Sequence, residues 1–353
     1  MYKRQFQERT AEDLAANINK LEKSGHLKGL ILDLRNDPGG LLQAAIGVSA
    51  AFLPEKSDVV SIKGRTPQSD YAFKAVEKDY RSGNAAKALA ELTPAAKTVP
   101  LVVLINSSSA SASEIVAGAL QDHKRAVLLG DRSFGKGSVQ TILPMTFGEK
   151  TVGVKLTTAR YYTPTGRSIQ KPYTIGDDES YEEDIWNRYK NNEFFSADSI
   201  HFADSLKRVT PGGKVVYGGG GIMPDVFVPA DTTDVTKYFV EVAGRNILYR
   251  YTIEYADRHR EALNKVRTIP ELQALLDSDK GLVEDFIRYA ARKGVAPDYR
   301  DIARSRKLIE AQLRAYIGRN TALEDNGFYA NIYPVDNVVV RAIGILNDTQ
   351  KND

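Results

Sequence analysis

The sequence contains no cysteine and only four histidines in 353 residues. The absence of cysteine excludes disulfide bridges, thiolate–metal sites and a cysteine nucleophile, although it does not identify the cellular compartment. No apolar stretch approaches the roughly 20 residues that a membrane-spanning helix needs. Basic residues number 48 and acidic residues 45, and they are interspersed. No basic block indicates a nucleic-acid partner.

The first residues, Met1 to Gln5, contain two basic side chains but no apolar segment follows them. They therefore do not form a signal peptide, and we expect the chain to be cut off at its N-terminus. The length predicts one large or two ordinary domains. The composition, 42% hydrophobic and 26% charged, is typical of a globular protein.

Apolar, β-branched runs alternate with helical patterns in the first half of the chain. The predicted strands are Leu30–Leu34, Val59–Ile62, Leu101–Ile105, Ala126–Gly130 and Thr151–Thr158. Helices are predicted after Gly40 and from Ser113 to Leu120. Residues 64–99 lack a clear period and are interpreted as a surface excursion with some helix. This alternation predicts an α/β layered core.

The composition changes twice in the second half. Residues 171–218 are rich in charged residues, tyrosine and glycine, and we interpret them as an insertion into the core. The glycine run at 218–221, with Pro224 and Pro229, predicts the return to the core and a boundary. The pattern from about residue 231 is helical. We expect a core over residues 1–230 and a mostly helical domain over residues 231–353.

A serine-rich segment, Ser109 to Glu114, joins a predicted buried strand to a helix. The backbone N–H groups at the start of a helix are unpaired and partly positive, so they can stabilise an oxyanion. Such a turn therefore suits a serine nucleophile, although most serine-rich turns only cap a helix. Composition alone does not decide which serine would react.

Lys136 lies between Gly135 and Gly137 and is the candidate general base. A lysine base must be neutral, and burial disfavours the charged amine. Gln140 would orient the amine without adding a charge. A phosphate-binding loop is the alternative, but Gly137 stands where that motif requires serine or threonine.

Histidine offers a rival base at Asp122-His123. The helix rises about 1.5 Å per residue, which separates His123 from the serine turn by roughly 10 Å or more. We expect His123 to stabilise the last carbonyls of the helix instead. The other histidines, His26, His201 and His259, are isolated in sequence, so no metal site and no cofactor are predicted.

Residues 34–40 form a second dense segment, Leu-Arg-Asn-Asp-Pro-Gly-Gly. One interpretation is a strand that ends in a turn. The other is that Gly39 or Gly40 presents an N–H group to a substrate carbonyl, together with the N–H of Ala112. The nearby carboxylates are expected to be structural, through caps or pairing with Arg35 or Lys124; they are Asp33, Asp37 and Asp122.

Four motifs in the same order resemble the carboxyl-terminal processing peptidases, also called tail-specific proteases. They are D-L-R-N-D-P-G-G at 33–40, S-A-S-A-S-E-I-V-A-G-A-L-Q-D at 109–122, F-G-K-G-S-V-Q at 134–140 and G-G-I-M-P-D at 220–225. The resemblance covers about residues 5–230. It implies a crotonase-like (ClpP-like) α/β core.

By position, the resemblance implies a serine endopeptidase with Ser111 as nucleophile, Lys136 as general base and Gln140 as its partner. It assigns the oxyanion hole to Ala112 and to Gly39 or Gly40. It also implies protein or peptide substrates with apolar C-terminal tails, a possible homo-oligomer, and a periplasmic or cell-envelope location.

Two departures from the family pattern are visible. The usual asparagine before P-G-G is Asp37. In the family a PDZ domain lies before the segment that corresponds to Phe6–Thr10, and we expect this chain to lack it. The insertion and the helical C-terminal region resemble the Bacteroidetes branch. Two alternative functions stay open, a non-catalytic peptide-binding or scaffold protein on this fold and an acyl-CoA enzyme of the crotonase type.

Overall fold

The computed structural model of the chain describes residues 5–352, apart from residues 26, 66–69, 82, 149, 175, 178, 180 and 182. The start of the chain, for which the sequence predicts no signal peptide, and His26 therefore lie outside the described residues. The chain divides into two compact units. One consists of residues 1–229 and 344–353, and the other of residues 230–343.

Short parallel strands form the central sheet of the first unit. In spatial order they are β1 (Leu30–Asp33), β4 (Leu101–Ile105), β5 (Val127–Gly130) and β10 (Val226–Phe227). Leu32 is paired with Val103, which is paired in turn with Leu128. Every residue of β4 is buried, as its apolar and β-branched sequence predicts.

An antiparallel sheet lies in the same unit. Its order is β3 (Tyr71–Lys74), β2 (Asp58–Gly64), β7 (Lys150–Tyr162) and β6 (Ser138–Phe147). The sequence analysis missed β6, which contains Pro144 and has eight exposed residues. Proline is tolerated at a sheet edge, and β6 is an edge strand. A small hairpin, β8 (Lys207–Val209) with β9 (Val215–Tyr217), lies in the predicted insertion.

Helices pack around these sheets. They are α1 (Thr10–Ser24), α2 (Leu42–Ala50), α3 (Glu77–Tyr80), α4 (Ala85–Ala90), α5 (Pro94–Thr98), α6 (Ala112–Asp122) and α7 (Asp184–Lys190). Helix α2 packs against α6, and α1 packs against α4. Ala85 and Leu89 of α4 are buried in the core. Part of the segment predicted as a surface excursion therefore belongs to the core, because small residues on α4 fit closely against α1.

The three dense motifs follow the carboxyl ends of adjacent parallel strands. Residues 34–40 follow β1, residues 106–111 follow β4, and residues 131–137 follow β5. Because these ends lie at one edge of the sheet, segments distant in sequence are brought together there, where α/β proteins usually bind ligands.

The second unit is helical. Its helices are α8 (Lys237–Gly244), α9 (Ile247–Arg258), α10 (Arg260–Leu263), α11 (Ile269–Ser278), α12 (Leu282–Arg292), α13 (Tyr299–Arg319), α14 (Asp325–Ile332) and the first part of α15 (Asn337–Asn352). Tyr251 and Phe286 meet edge to face in its core, with ring centroids 5.5 Å apart. The predicted α/β core followed by a helical C-terminal region is confirmed. Among the helices described, none is both long and apolar enough to cross a membrane.

Candidate active site

Ser111 lies at the turn between β4 and α6 in a backbone conformation that residues other than glycine rarely adopt. Its φ is 56° and its ψ is −111°. Such a conformation costs on the order of 1–3 kcal/mol and persists only where the surrounding structure enforces it. Helix α6, which is buried along its whole length, provides those surroundings.

The neighbouring serines are committed to backbone carbonyl groups. Ser109 Oγ donates to the carbonyl of Leu34 at 2.8 Å, and Ser113 Oγ donates to the carbonyl of Asp37 at 3.0 Å. Both side chains are fully buried, whereas Ser111 is half-buried. Within the part of the chain that is described, the Ser111 hydroxyl donates to no carbonyl.

The carboxylate of Glu114 joins the serine turn to residues 131–137, the segment that contains Lys136 and is called the lysine segment below. Its Oε2 accepts the backbone N–H of Ser111 at 2.9 Å and that of Lys136 at 2.8 Å. Its Oε1 accepts the N–H of Gly135 at 2.7 Å and the hydroxyl of Ser133 at 2.5 Å. Since one oxygen binds both backbone nitrogens, Ser111 and Lys136 are neighbours.

Glu114 is completely buried. Burial raises the pKa of its carboxyl group above the ordinary value, and the four hydrogen bonds oppose that rise. The sequence analysis named Glu114 only as the end of the serine motif. A local signal was available, because a glutamate three residues after a serine at a helix start is typical of a capping box.

The fourth family-like motif reaches the same network. Ser133 Oγ, besides donating to Glu114, accepts the backbone N–H of Ile222 at 2.6 Å. The N–H of Ser133 donates to the carbonyl of Ile222 at 3.0 Å. The G-G-I-M-P-D segment therefore supports the residues that precede Lys136.

Lys136 and Gln140 line one cavity of about 370 Å³. Gln140 lies on β6, the strand that begins just after Lys136. The other lining residues are polar or aromatic; they are Ser138, Thr157, Gln170, Tyr173, Thr174, Asp177 and Tyr181. Ser111 is not among the lining residues. The structure therefore links Ser111 to Lys136 by their hydrogen bonds to Glu114, whereas Lys136 and Gln140 are linked because both line the cavity.

The glycine turn lies directly against the serine turn. A Cβ atom on Gly39 would lie 2.6 Å from the carbonyl oxygen of Ala110 and 2.7 Å from the backbone nitrogen of Ala112. The N–H of Gly39 donates to Asp37 Oδ1 at 2.8 Å, so it is already in use. Among described residues, the N–H groups of Gly40 and Ala112 have no protein acceptor. Asp37, the residue that departs from the family pattern, thus binds within its own turn.

The partners expected for two residues near the end of α6 are wrong. His123 Nε2 contacts the carbonyl oxygen of Asp58 at 2.7 Å rather than the last carbonyls of the helix. Asp122 has a structural role, as predicted, but it forms a buried ion pair with Arg167 at 2.8 Å and not with Lys124. Both partners, Asp58 and Arg167, are distant in sequence, so the local sequence pattern could not indicate them. Asp33 does pair with Arg35, at 2.8 Å, as predicted.

An α/β core that presents a strained serine beside a lysine is typical of hydrolases that use a serine nucleophile. Residues 4–180, half of the chain, match peptidase family S41, and the chain belongs to that family. Residues 238–322 match a family of unknown function, DUF8443.

Similar proteins are carboxyl-terminal processing proteases. One from Bartonella bacilliformis is 42% identical over 233 residues, which is 65% of this chain and 48% of that protein. One from Synechocystis is 34% identical over 218 residues, 62% of this chain and 45% of that protein. The solved photosystem II D1 C-terminal processing protease is 35% identical over 47% of this chain and 38% of its own, with a TM-score of 0.37. The chain spans about half the length of the curated relatives it matches.

Proposed function

We propose that the chain is a serine endopeptidase that cleaves proteins near their C-termini, with Ser111 as nucleophile and Lys136 as general base. Ser111 Oγ attacks the scissile carbonyl and passes its proton to the amine of Lys136. The resulting ammonium returns the proton to the leaving amine, so that an ester to Ser111 remains. Water, activated by the same amine, then hydrolyses the ester and restores the serine.

The observation that carries the proposal is the shared carboxylate of Glu114, which fixes the backbones of Ser111 and Lys136 next to each other. Holding a nucleophile and its base in a fixed relation supplies much of the rate of such a reaction. Gln140, in the cavity with Lys136, would orient the amine through a neutral group.

For the oxyanion hole, the geometry favours Gly40 with Ala112 over Gly39. The Gly39 N–H is bound to Asp37, whereas the N–H groups of the other two residues have no protein acceptor in the described chain. Two donors directed at the developing charge stabilise the tetrahedral intermediate.

The test is cleavage of an unfolded protein and of an apolar-tailed peptide by the parent and by S111A and K136A. We expect both variants to lose activity by about 1,000-fold or more. The matched controls are S108A and K155A, which change an exposed serine and an exposed lysine. Parental activity in S111A or K136A would refute the dyad. A folded parent that binds such peptides without cleaving them would instead identify the scaffold alternative.

Protein substrates follow from the family, and their apolar C-terminal tails are part of our proposal. We further propose a location in the periplasm or cell envelope, which cell fractionation tests. A homo-oligomer is also proposed, and light scattering tests it. We also propose residues 1–230 as the protease core and residues 231–353 as a separate helical domain. Preferential proteolytic cleavage of the full chain near Ala230 would support that division.

A further inference from the structure

The segment that leads to Lys136 is held by different partners on its two kinds of backbone group. Three of its N–H groups are bound by side-chain oxygens, since Glu114 accepts from Gly135 and Lys136, and Gln170 Oε1 accepts from Gly137 at 3.0 Å. Three of its carbonyl groups are bound by donors from the predicted insertion. Neither set of contacts by itself satisfies the segment.

Arg188 of α7 provides two of these donors. Its guanidinium group donates to the carbonyl of Ser133 at 2.8 Å and to that of Phe134 at 3.0 Å. The next carbonyl, that of Gly135, accepts the backbone N–H of Lys171 at 2.8 Å. Three consecutive carbonyl groups just before Lys136 are therefore bound by residues of the insertion.

The guanidinium group is itself fixed in place. Arg188 is buried, and its Nε lies 2.9 Å from Asp184 Oδ2. The same carboxylate oxygen accepts from Lys171 Nζ at 3.2 Å. That ammonium lies 4.2 Å from the ring centroid of Phe134 and 4.0 Å from that of Tyr181. The insertion thus contacts the lysine segment through backbone, charge and aromatic groups together.

We propose that Arg188 is a positioning residue for the reaction, because it fixes the segment from which Lys136 extends; this inference rests on the proposed function. A planar guanidinium can bind two adjacent acceptors in one orientation, which a single-point donor cannot do. The segment needs such restraint, since Gly135, with a φ of 90°, and Gly137 give it unusual conformational freedom. The insertion is then part of the catalytic apparatus.

The test compares R188M with R125M. Arg125 is the matched control, because it also donates to backbone carbonyl groups, those of Phe52, Lys97 and Val99, and none of these belongs to the lysine segment. We expect R188M to lower kcat by roughly 10- to 100-fold with little change in KM, since misplacement of the base slows the chemical step. R125M should lower the melting temperature and leave kcat at the parental value.

Hydrogen exchange gives a readout that does not depend on activity. The amides of Gly135 and Lys136 donate to the buried carboxylate of Glu114, so they should exchange slowly in the parent and in R125M. In R188M we expect faster exchange confined to residues 133–137. If R188M does not fold, R188K carries both measurements, because it keeps the charge and loses the planar fork.

Folded R188M with parental kcat, or with unchanged exchange at residues 133–137, would overturn the inference. A loss of melting temperature without either change would show a merely stabilising role and would also overturn it. A parent without Ser111-dependent cleavage would refute the proposed function, and the exchange experiment would still decide whether Arg188 fixes the segment.

Discussion

The serine turn and the lysine segment are neighbours, yet they are built from different kinds of contact. The turn at Ser111 joins a buried strand directly to a buried helix, and its neighbours Ser109 and Ser113 bind the carbonyl groups of one other turn. The segment at Lys136 is fixed by groups from distant parts of the sequence. Its partners are Glu114, Gln170, Lys171, Arg188 and Ile222.

The difference shows which half of the site depends on the rest of the fold. A strained turn between two rigid elements keeps its shape while those elements stay packed. A glycine-rich segment has no such local support, so each lost long-range contact allows it to move. We therefore expect substitutions around Lys136 to change the chemistry, and substitutions around Ser111 that spare its hydroxyl to change mainly stability.

The largest effect is expected from E114Q, which alters the carboxylate that binds both regions. The amide nitrogen of glutamine cannot accept from backbone N–H groups, so the hydrogen bonds that one of the two carboxylate oxygens accepts are lost. We expect kcat to fall by about 100-fold or more, and labelling of Ser111 by a fluorophosphonate to slow in parallel. D79N is the control, since the buried Asp79 also accepts a backbone N–H and a hydroxyl, from Lys74 and Tyr71. A folded E114Q with parental kcat would show that the shared carboxylate does not position the two regions for the reaction.

The next effect concerns Asp131, the first residue of the lysine segment. Burial raises the pKa of its carboxyl group to about 6 from an ordinary 3.8. Because the folded-state pKa is raised, ionisation of this carboxyl group destabilises the folded state. The destabilisation is absent below pH 3.8 and complete above pH 6. The free energy of unfolding of D131N, relative to that of the parent, should therefore rise by roughly 1–3 kcal/mol as the pH is raised from 4 to 7. Urea unfolding across that range measures the gain.

The control for that measurement is D198N, at an exposed aspartate outside the lysine segment. Equal pH dependence of unfolding in the parent and D131N would contradict the assignment of the penalty to Asp131.

A smaller effect is expected from Q140E. The variant adds a negative charge to the cavity that Lys136 lines, and this charge opposes the action of the lysine as a base, so kcat/KM should fall about tenfold. Q140A, which removes the orienting group without adding a charge, should lower kcat/KM less. If the two variants had the same kcat/KM, Gln140 would not act on the amine through charge.

The smallest effect is expected at the serine turn. S109A and S113A each remove a hydrogen bond to a buried backbone carbonyl, from Leu34 and Asp37 respectively. Each should cost about 1 kcal/mol in the free energy of unfolding and leave kcat unchanged. Chemical denaturation and steady-state kinetics check both values, and a large fall in kcat would place these hydroxyls in the chemistry.

The fold was predictable where the chain is apolar and regular. The predicted strands at β1, β2, β4, β5 and β7 are confirmed, because an apolar β-branched run, or apolar residues that alternate along the chain as in β7, favour an extended conformation. Strand β6 was missed, since its exposed residues and Pro144 give no burial signal and only pairing with β7 reveals it. The core role of α4 was missed for a similar reason, because it depends on contact with α1.

The site was predictable to the level of residue types at the strand ends. The local sequence identifies the serine turn, the glycine turn and the lysine. The catalytic roles assigned to them remain predictions. The local sequence could not indicate that Arg188 or Ile222 binds the lysine segment, because those contacts join residues about 55 to 90 positions apart. It left Gly39 and Gly40 equivalent, and only the contact of Asp37 with the Gly39 N–H separates them.

The backbone of Ser111 has one consequence for how this position would evolve. Glycine adopts a φ of 56° with a ψ of −111° at little cost, whereas serine is strained there. Selection for folding alone would therefore replace Ser111 with glycine, and the S111G protein should resist denaturation better than the parent. A side chain that destabilises its own fold indicates selection for a property other than stability. This conclusion needs no comparison with related proteins.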